Sequence, residues 1–366
     1  MRAYRMIMRQ TLPVVLFFFR LLALSGGLLV FSGCLASSAQ PRSALTDQQA
    51  ELQRREATAA DALDKAVQLF HNGEYLDEDA ALDYLDQAVE LDPNQLTARY
   101  RRALILMERG RMEAAEADVR KILELRPDHI QARFTLGYIL SQRQEYLQAV
   151  REFSQVLDLD DSVAEAFALR GAAYAKSGRT EDAIHDFDRA IALSPAHFEA
   201  YYNRGLAHMT LGDDERALYD LTQALSLDSL ALPVLMARAT VSMRLADFDR
   251  AEDDYRRALL LTPTDSGLYA LLAEACAGSG DYPAAADAAR RALGLARAEG
   301  DARAAAAYEE QVRAYAGKPK VEPKPKPAPL PEPEPDAVPQ ASTDAEKPPA
   351  QPEGGKPPAP PAPPAP

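Results

Sequence analysis

The sequence predicts an all-α protein built as an array of stacked helical hairpins, not as one globular core. Three observations predict it. Marks spaced by 34 residues run Pro93, Pro127, Asp161, Pro195, Ser229, Pro263 and Arg297, and those up to Pro263 each close an apolar, mostly acid-bearing phrase: AVELDP, ILELRP, VLDLDD, AIALSP, ALSLDS, ALLLTP. Twelve residues ahead of the marks from Pro127 onward stands alanine: Ala115, Ala149, Ala183, Ala217, Ala251 and Ala285. Seventeen ahead stands Gly110, Gln144, Gly178, Gly212, Ala246 or Gly280. Fixed self-similarity at this length means repeated supersecondary units, each packing only on its neighbours.

The first element precedes the array. Arg2, Arg5, Arg9 and Arg20 occur in residues 1–34 without a single acid, and Leu21 to Phe31 is an apolar run followed by Ser32, Gly33 and Cys34. A basic start, a short apolar stretch and small residues before a cut form an export signal. A transmembrane anchor over residues 12–35 would carry Arg20 in its interior at a cost of roughly 2.5–3.5 kcal/mol. Without Arg20 the remaining run falls short of the ~20 apolar residues a span needs. The stretch VFSGC resembles a bacterial lipobox, which implies cleavage after Gly33 and acylation of Cys34. Phe31 departs from the aliphatic residue usual at its place. The resemblance also implies an outer-membrane destination facing the periplasm, because Leu35 and not aspartate follows the cysteine. Acylation at more than one position gives stable membrane attachment. Residues 34–57 are then a tether, with Thr46 and Gln49 of TDQQ reading as a helix start.

Within the array, residues 164–197 illustrate the unit. Phe167, Arg170, Gly171 and Tyr174 share one stripe of a first helix, at amphipathic spacing. Gly178 stops that helix. A second helix buries Ala183, Phe187 and Ala190, and Pro195 ends it. Small residues at Gly171 and Ala183 let the helices approach, with Tyr174 and Phe187 filling the space beside them. Six such units cover about 96–297, and an imperfect one lies at about 59–95, with three extra residues between Gly73 and Pro93 that predict a longer turn.

This pattern resembles the tetratricopeptide repeat, a helix-turn-helix unit with small residues at its eighth and twentieth positions and a proline near its end. Small residues stand at the eighth position at Ala103, Gly137, Gly171, Gly205, Ala239 and Ala273. The resemblance implies a right-handed superhelical solenoid over 58–297, one degenerate unit plus six regular ones. In such proteins the first-helix stripe turned away from the core lines a concave groove. Here that stripe carries Tyr100, Leu104, Met107, Phe134, Tyr138, Tyr202, Leu206, Met209, Met236 and Met243, where a merely solvated face would be polar. Methionine and aromatic side chains suit adaptable binding surfaces. A clamp for a C-terminal carboxylate is not matched: Asn203 fits one of its positions, but Ala168, Ala172, Pro233 and Ala237 do not supply the rest.

After Arg297 a polar helix, residues 298–317, reads as a solvating cap of the array. From Lys318 onward the chain is a disordered tail, because 19 of its 27 prolines fall in the last 49 residues and that density forbids helix.

Little chemistry is foreseen. A formal net charge of −14 argues against nucleic-acid binding, which wants a basic stripe. His129 and His197 fall between units, His185 on an exposed face and His208 in the core. No phosphate loop, serine elbow or zinc-ligand spacing occurs. Cys276 reads as a small core residue. The acid pairs Asp213–Asp214 and Asp253–Asp254 read as solvated surface. No enzyme activity, cofactor, metal or small-molecule substrate is expected. The expectation is an envelope lipoprotein whose groove holds a protein or peptide partner, as pilotins, protease adaptors and assembly subunits of this build do. The alternative is a structural spacer whose tail engages the cell wall or a distant partner.

Overall fold

The computed structural model describes residues 44–71 and 74–321. The signal, Cys34 and the tail beyond Val321 lie outside the described residues. Fifteen helices are described: α1 (Ala44–Gln68), α2 (Glu78–Leu91), α3 (Leu96–Glu108), α4 (Met112–Leu125), α5 (Ile130–Gln142), α6 (Tyr146–Leu159), α7 (Ala164–Lys176), α8 (Thr180–Leu193), α9 (Phe198–Leu211), α10 (Asp214–Leu227), α11 (Leu232–Arg244), α12 (Phe248–Leu261), α13 (Ser266–Gly278), α14 (Tyr282–Glu299) and α15 (Ala302–Tyr315). None is long and apolar enough to cross a membrane. Within each of two compact units, consecutive helices pack side by side as hairpins. The first unit runs to Asp213 and resumes over Asp220–Ala237; the second comprises Asp214–Tyr219 and the residues from Arg238 onward.

Each hairpin closes where the sequence places its small residues. A Cβ added to Gly171 would stand 2.8 Å from the Phe187 ring, and one on Gly137 2.8 Å from the Phe153 ring. Both rings are fully buried, so no side chain fits between the helices there. The turn between helices needs a left-handed residue, supplied by Gly110, Gly178, Gly212 and Gly280 at φ of 73–85°. Gln144 and Ala246 adopt the same conformation, at φ of 64° and 56°. Packing along the helices holds them where an isolated chain would resist.

A second device joins the helices of a hairpin. Arg170 on α7 donates two hydrogen bonds to Asp186 on α8, at 2.7 and 2.8 Å. Arg102–Asp118, Arg204–Asp220 and Arg238–Asp254 repeat the forked pair at the same separation of 16 residues. All four aspartates are buried. The guanidinium fork satisfies both carboxylate oxygens, which burial would otherwise leave without partners. Asp254 therefore corrects the expectation of a solvated Asp253–Asp254 surface: its side chain is inside, against Arg238. Asp214 is likewise paired, with Arg244 at 2.9 Å.

The two ends differ from expectation in detail. Residues 44–57, expected as tether, are the first turns of α1, so Thr46 lies inside the helix and not at its cap. Residues 48–58 are exposed, and burial begins at Ala59, Ala62 and Ala66, which pack the helix on α2. The extra residues of this first hairpin form a small antiparallel ribbon, Phe70–His71 against Glu74–Tyr75, with Phe70 edge-on to Tyr75. At the other end α14 runs 18 residues before Gly300 turns the chain into α15, the expected cap. Cys276 is wholly buried, which pushes its thiol up to about 12.

Candidate functional site: the first-helix stripe

The second helix of each hairpin covers one side of the first, and the opposite side is left to other contacts. In the first compact unit that side belongs to α3, α5, α7, α9 and the start of α11. Tyr138 on α5, Tyr202, Leu206 and Met209 on α9, and Met236 on α11 are each half-buried, as are Tyr100 and Leu104 on α3. Between α5 and α9, α7 carries Ala168, Ala172 and Ala175 where α9 has Tyr202, Leu206 and Met209, with Glu165 in its first turn. The aromatic and methionine side chains thus flank a shallow alanine stretch. Met243, on the part of α11 that belongs to the second unit, is half-buried there.

Two expected members of the stripe are core residues instead. Phe134 is buried and meets Phe153 edge-on at 5.7 Å between ring centroids. The cause is Gly137, one turn further along α5: lacking a side chain, it lets the Phe153 ring come so close beneath α5 that the ring reaches Phe134. Met107 is buried with only 2% of its surface exposed and joins the core around α3 and α4. Tyr100 is intermediate in character. Its ring lies 5.8 Å from that of His129, and Thr135 Oγ1 stands 3.5 Å from its hydroxyl. Burial of the phenol pushes its pKa up to about 12. Burial also raises the pKa of Tyr138 and Tyr202. These phenols are neutral at physiological pH and offer a mostly apolar surface with one hydrogen-bonding tip.

The edge of the stripe is set by two histidines that the sequence placed between units. Each is a helix N-cap: Ala132 N donates to His129 Nδ1 at 3.2 Å, and Ala200 N to His197 Nδ1 at 3.3 Å. His197 is buried, and its Nε2 lies 3.0 Å from Glu165 Oε2 in the first turn of α7. Burial lowers the pKa of both imidazoles. At His197 the bond to Glu165 and the charges of Glu165 and Glu199 outweigh it, so the net direction is upward. At His129 burial prevails and the net direction is downward. The His197–Glu165 contact ties α9 to α7 at one rim of the stripe. Their separation of 68 residues, two repeats with the non-capping Val163 between, was the available signal for these roles.

Among the described residues, no group of three or more His, Cys, Asp or Glu side chains is placed to hold a metal ion. The stripe offers contact area and a few hydrogen-bonding tips.

The chain belongs to the tetratricopeptide repeat family. Family models described as tetratricopeptide or TPR repeat match residues 77–130, 134–186, 171–212, 198–230 and 236–302. Among solved structures, PilF of Pseudomonas aeruginosa is similar over 59% of this chain and 97% of its own, at 20% identity and a TM-score of 0.50. A tetratricopeptide repeat protein of Parabacteroides merdae covers 73% of this chain and 99% of its own, at 15% identity and a TM-score of 0.48. MamA of Desulfovibrio magneticus covers 49% and 96%, at 21% identity and a TM-score of 0.41. Comparison with curated proteins gave no match. At these identities the likeness is one of fold alone.

Proposed function

We propose that this chain is a lipid-anchored protein of the bacterial envelope whose repeats hold a peptide or helix of another envelope protein along the first-helix stripe. The observation that carries the binding reading is the row Tyr138, Tyr202, Leu206 and Met209. These side chains are half-buried on α5 and α9, Tyr138 with one side packed against the core and the rest open. The anchoring reading rests on the basic, acid-free start and on VFSGC, with Cys34 as the acylated residue and the outer membrane, periplasmic side, as the destination. Scaffolding of an assembly machine, in the manner of a pilotin, protease adaptor or secretion subunit, is the role this build supports.

The binding reading is tested by placing a photo-cross-linking residue at Leu206 or Met209 in cells and sequencing the captured chains. Capture at these positions, lost in a Tyr138→Ala, Tyr202→Ala double variant of unchanged thermal stability, supports it. Early unfolding of the double variant would make the rings core residues and remove the stripe as a site. For anchoring, Cys34→Ser should leave the membrane fraction or keep its signal uncut. A Cys34→Ser protein that is processed and equally membrane-bound overturns the lipoprotein reading, and a spacer acting through its tail remains if no stripe contact is captured.

A further inference from the structure

The start of the proline-rich tail is not free. After α15 the chain turns at Gly317 and lays residues 318–321 across the α13–α14 turn. Val321 N donates to Gly280 O at 3.0 Å, Lys320 Nζ pairs with Asp281, and the Lys318 ammonium stands 5.0 Å from the centre of the Tyr282 ring. The corresponding turns at Gly110, Gly178 and Gly212 have nothing within 4 Å of where a Cβ would point, whereas at Gly280 the Val321 carbonyl is 2.9 Å away. Of these four turns, only the last carries a strap.

Beside the strap lies a cleft of about 490 Å³. Pro283 and Ala286 on α14 and Tyr315 at the end of α15 give it apolar walls, Pro319 borders it, and Asp287 and Arg290 stand along it. Tyr315 and Tyr282 are neighbours, with ring centroids 6.4 Å apart. An aromatic wall beside prolines, with charges of both signs, is the surface that polyproline segments dock on, because such segments are already extended and lose little entropy in binding. The chain leaves the described residues at Val321, two residues past Pro319 on the cleft's border, with EPKPKPAPLPEPEP as its next fourteen residues. Asp287 and Arg290 pair with each other at 2.6 Å and both stay exposed, so the tail's alternating lysines and glutamates meet both signs of that pair. A short tether raises the local concentration of such a segment to the millimolar range.

We propose that this cleft is the docking site of the chain's own proline-rich tail, residues 322–335, which folds back on Pro283, Arg290 and Tyr315 in polyproline form. The tail is thereby held against α14 and α15, and its distal part is presented from a fixed point.

The test uses the full chain with a photo-cross-linking residue at Leu330, prepared as a mixture of isotopically light and heavy protein. Cross-links are expected within one chain, to residues 282–290 and 315–319. Tyr315→Ala should lower their yield about tenfold, the effect of losing an aromatic anchor. Arg290→Glu changes an exposed side chain, so the fold is kept, and it too should lower the yield. Cross-links to the first-helix stripe, cross-links between light and heavy chains, no cross-link within the chain, or a yield indifferent to both variants would each overturn the proposal.

Discussion

In the α7–α8 hairpin, Arg170 forks onto the buried Asp186, and Gly171 lies against the Phe187 ring. In the α13–α14 hairpin the same four positions hold Leu272, Ala288, Ala273 and Ala289, all buried. The first hairpin closes on an ion pair and on a ring set against a backbone. The second closes on a seam of alanines, Ala285, Ala286, Ala289, Ala292 and Ala296, along a second helix of 18 residues instead of 14. One backbone plan therefore admits two solutions, because the distance between the helices is met either by glycine opposite a ring or by small residues on both sides. They fail differently. A charge pair is costly once broken, since the surviving charge stays buried. An alanine seam loses little when trimmed but has no space for addition.

The largest expected effect is accordingly at the ion pair. Asp186→Ala leaves the Arg170 guanidinium without its forked partner and should destabilise the protein by about 3–5 kcal/mol in denaturant unfolding. A loss below ~1 kcal/mol would mean the pair is solvated and would erase the contrast between the hairpins. Next comes Gly171→Leu, which drives a side chain into the Phe187 ring and should cost about 1–3 kcal/mol or more. His185→Leu, on an exposed face of α8, is the control and should stay within ~0.5 kcal/mol. Similar losses at both sites would show that the helical phase is wrong.

The contrast sharpens if one solution can be converted into the other. Ala288→Asp buries an unpaired carboxylate in the alanine seam and should cost about 1–3 kcal/mol. Adding Leu272→Arg should recover part of that loss, with a coupling of at least ~1 kcal/mol between the two sites. Strict additivity would mean that the longer α14 no longer brings these positions into pairing distance. The smallest effect concerns the turns. Ala246 is held at φ 56°, so Ala246→Gly should raise stability by about 0.5–1 kcal/mol. Gly178→Ala, at φ 83°, should lower it by a similar amount. Thermal unfolding of the two variants decides the sign.

Much of this molecule was written in the residues. The 34-residue marks fixed the helix pairs from α3 onward, because a unit that cannot bury its own apolar face must repeat that face in register. Gly171, Gly137 and the turn glycines could be assigned from position alone, since close approach and left-handed backbone each demand a residue without a side chain. Cys276 and His208 lie in the core where the pattern put them. The forked pairs were also present in the sequence, as arginine and aspartate 16 residues apart, but an acid beside another acid reads as solvated until its partner is seen across the hairpin. Asp254 was missed for that reason.

What only the tertiary structure decided are matters of who covers whom. Periodicity assigns Phe134 and Tyr138 to one stripe, yet the ring of Phe153, admitted by Gly137, takes Phe134 into the core and leaves Tyr138 half-exposed. The helix start read at TDQQ falls two residues inside α1, which begins at Ala44, because its first turns have no apolar face to place the boundary. The strap from Lys318 to Val321 could not be read from the residues: a single backbone bond to Gly280, an ion pair and a lysine over a ring leave no period in the sequence. A repeating pattern determines the contacts that repeat. Contacts made once, between segments brought together by the fold, are settled by geometry.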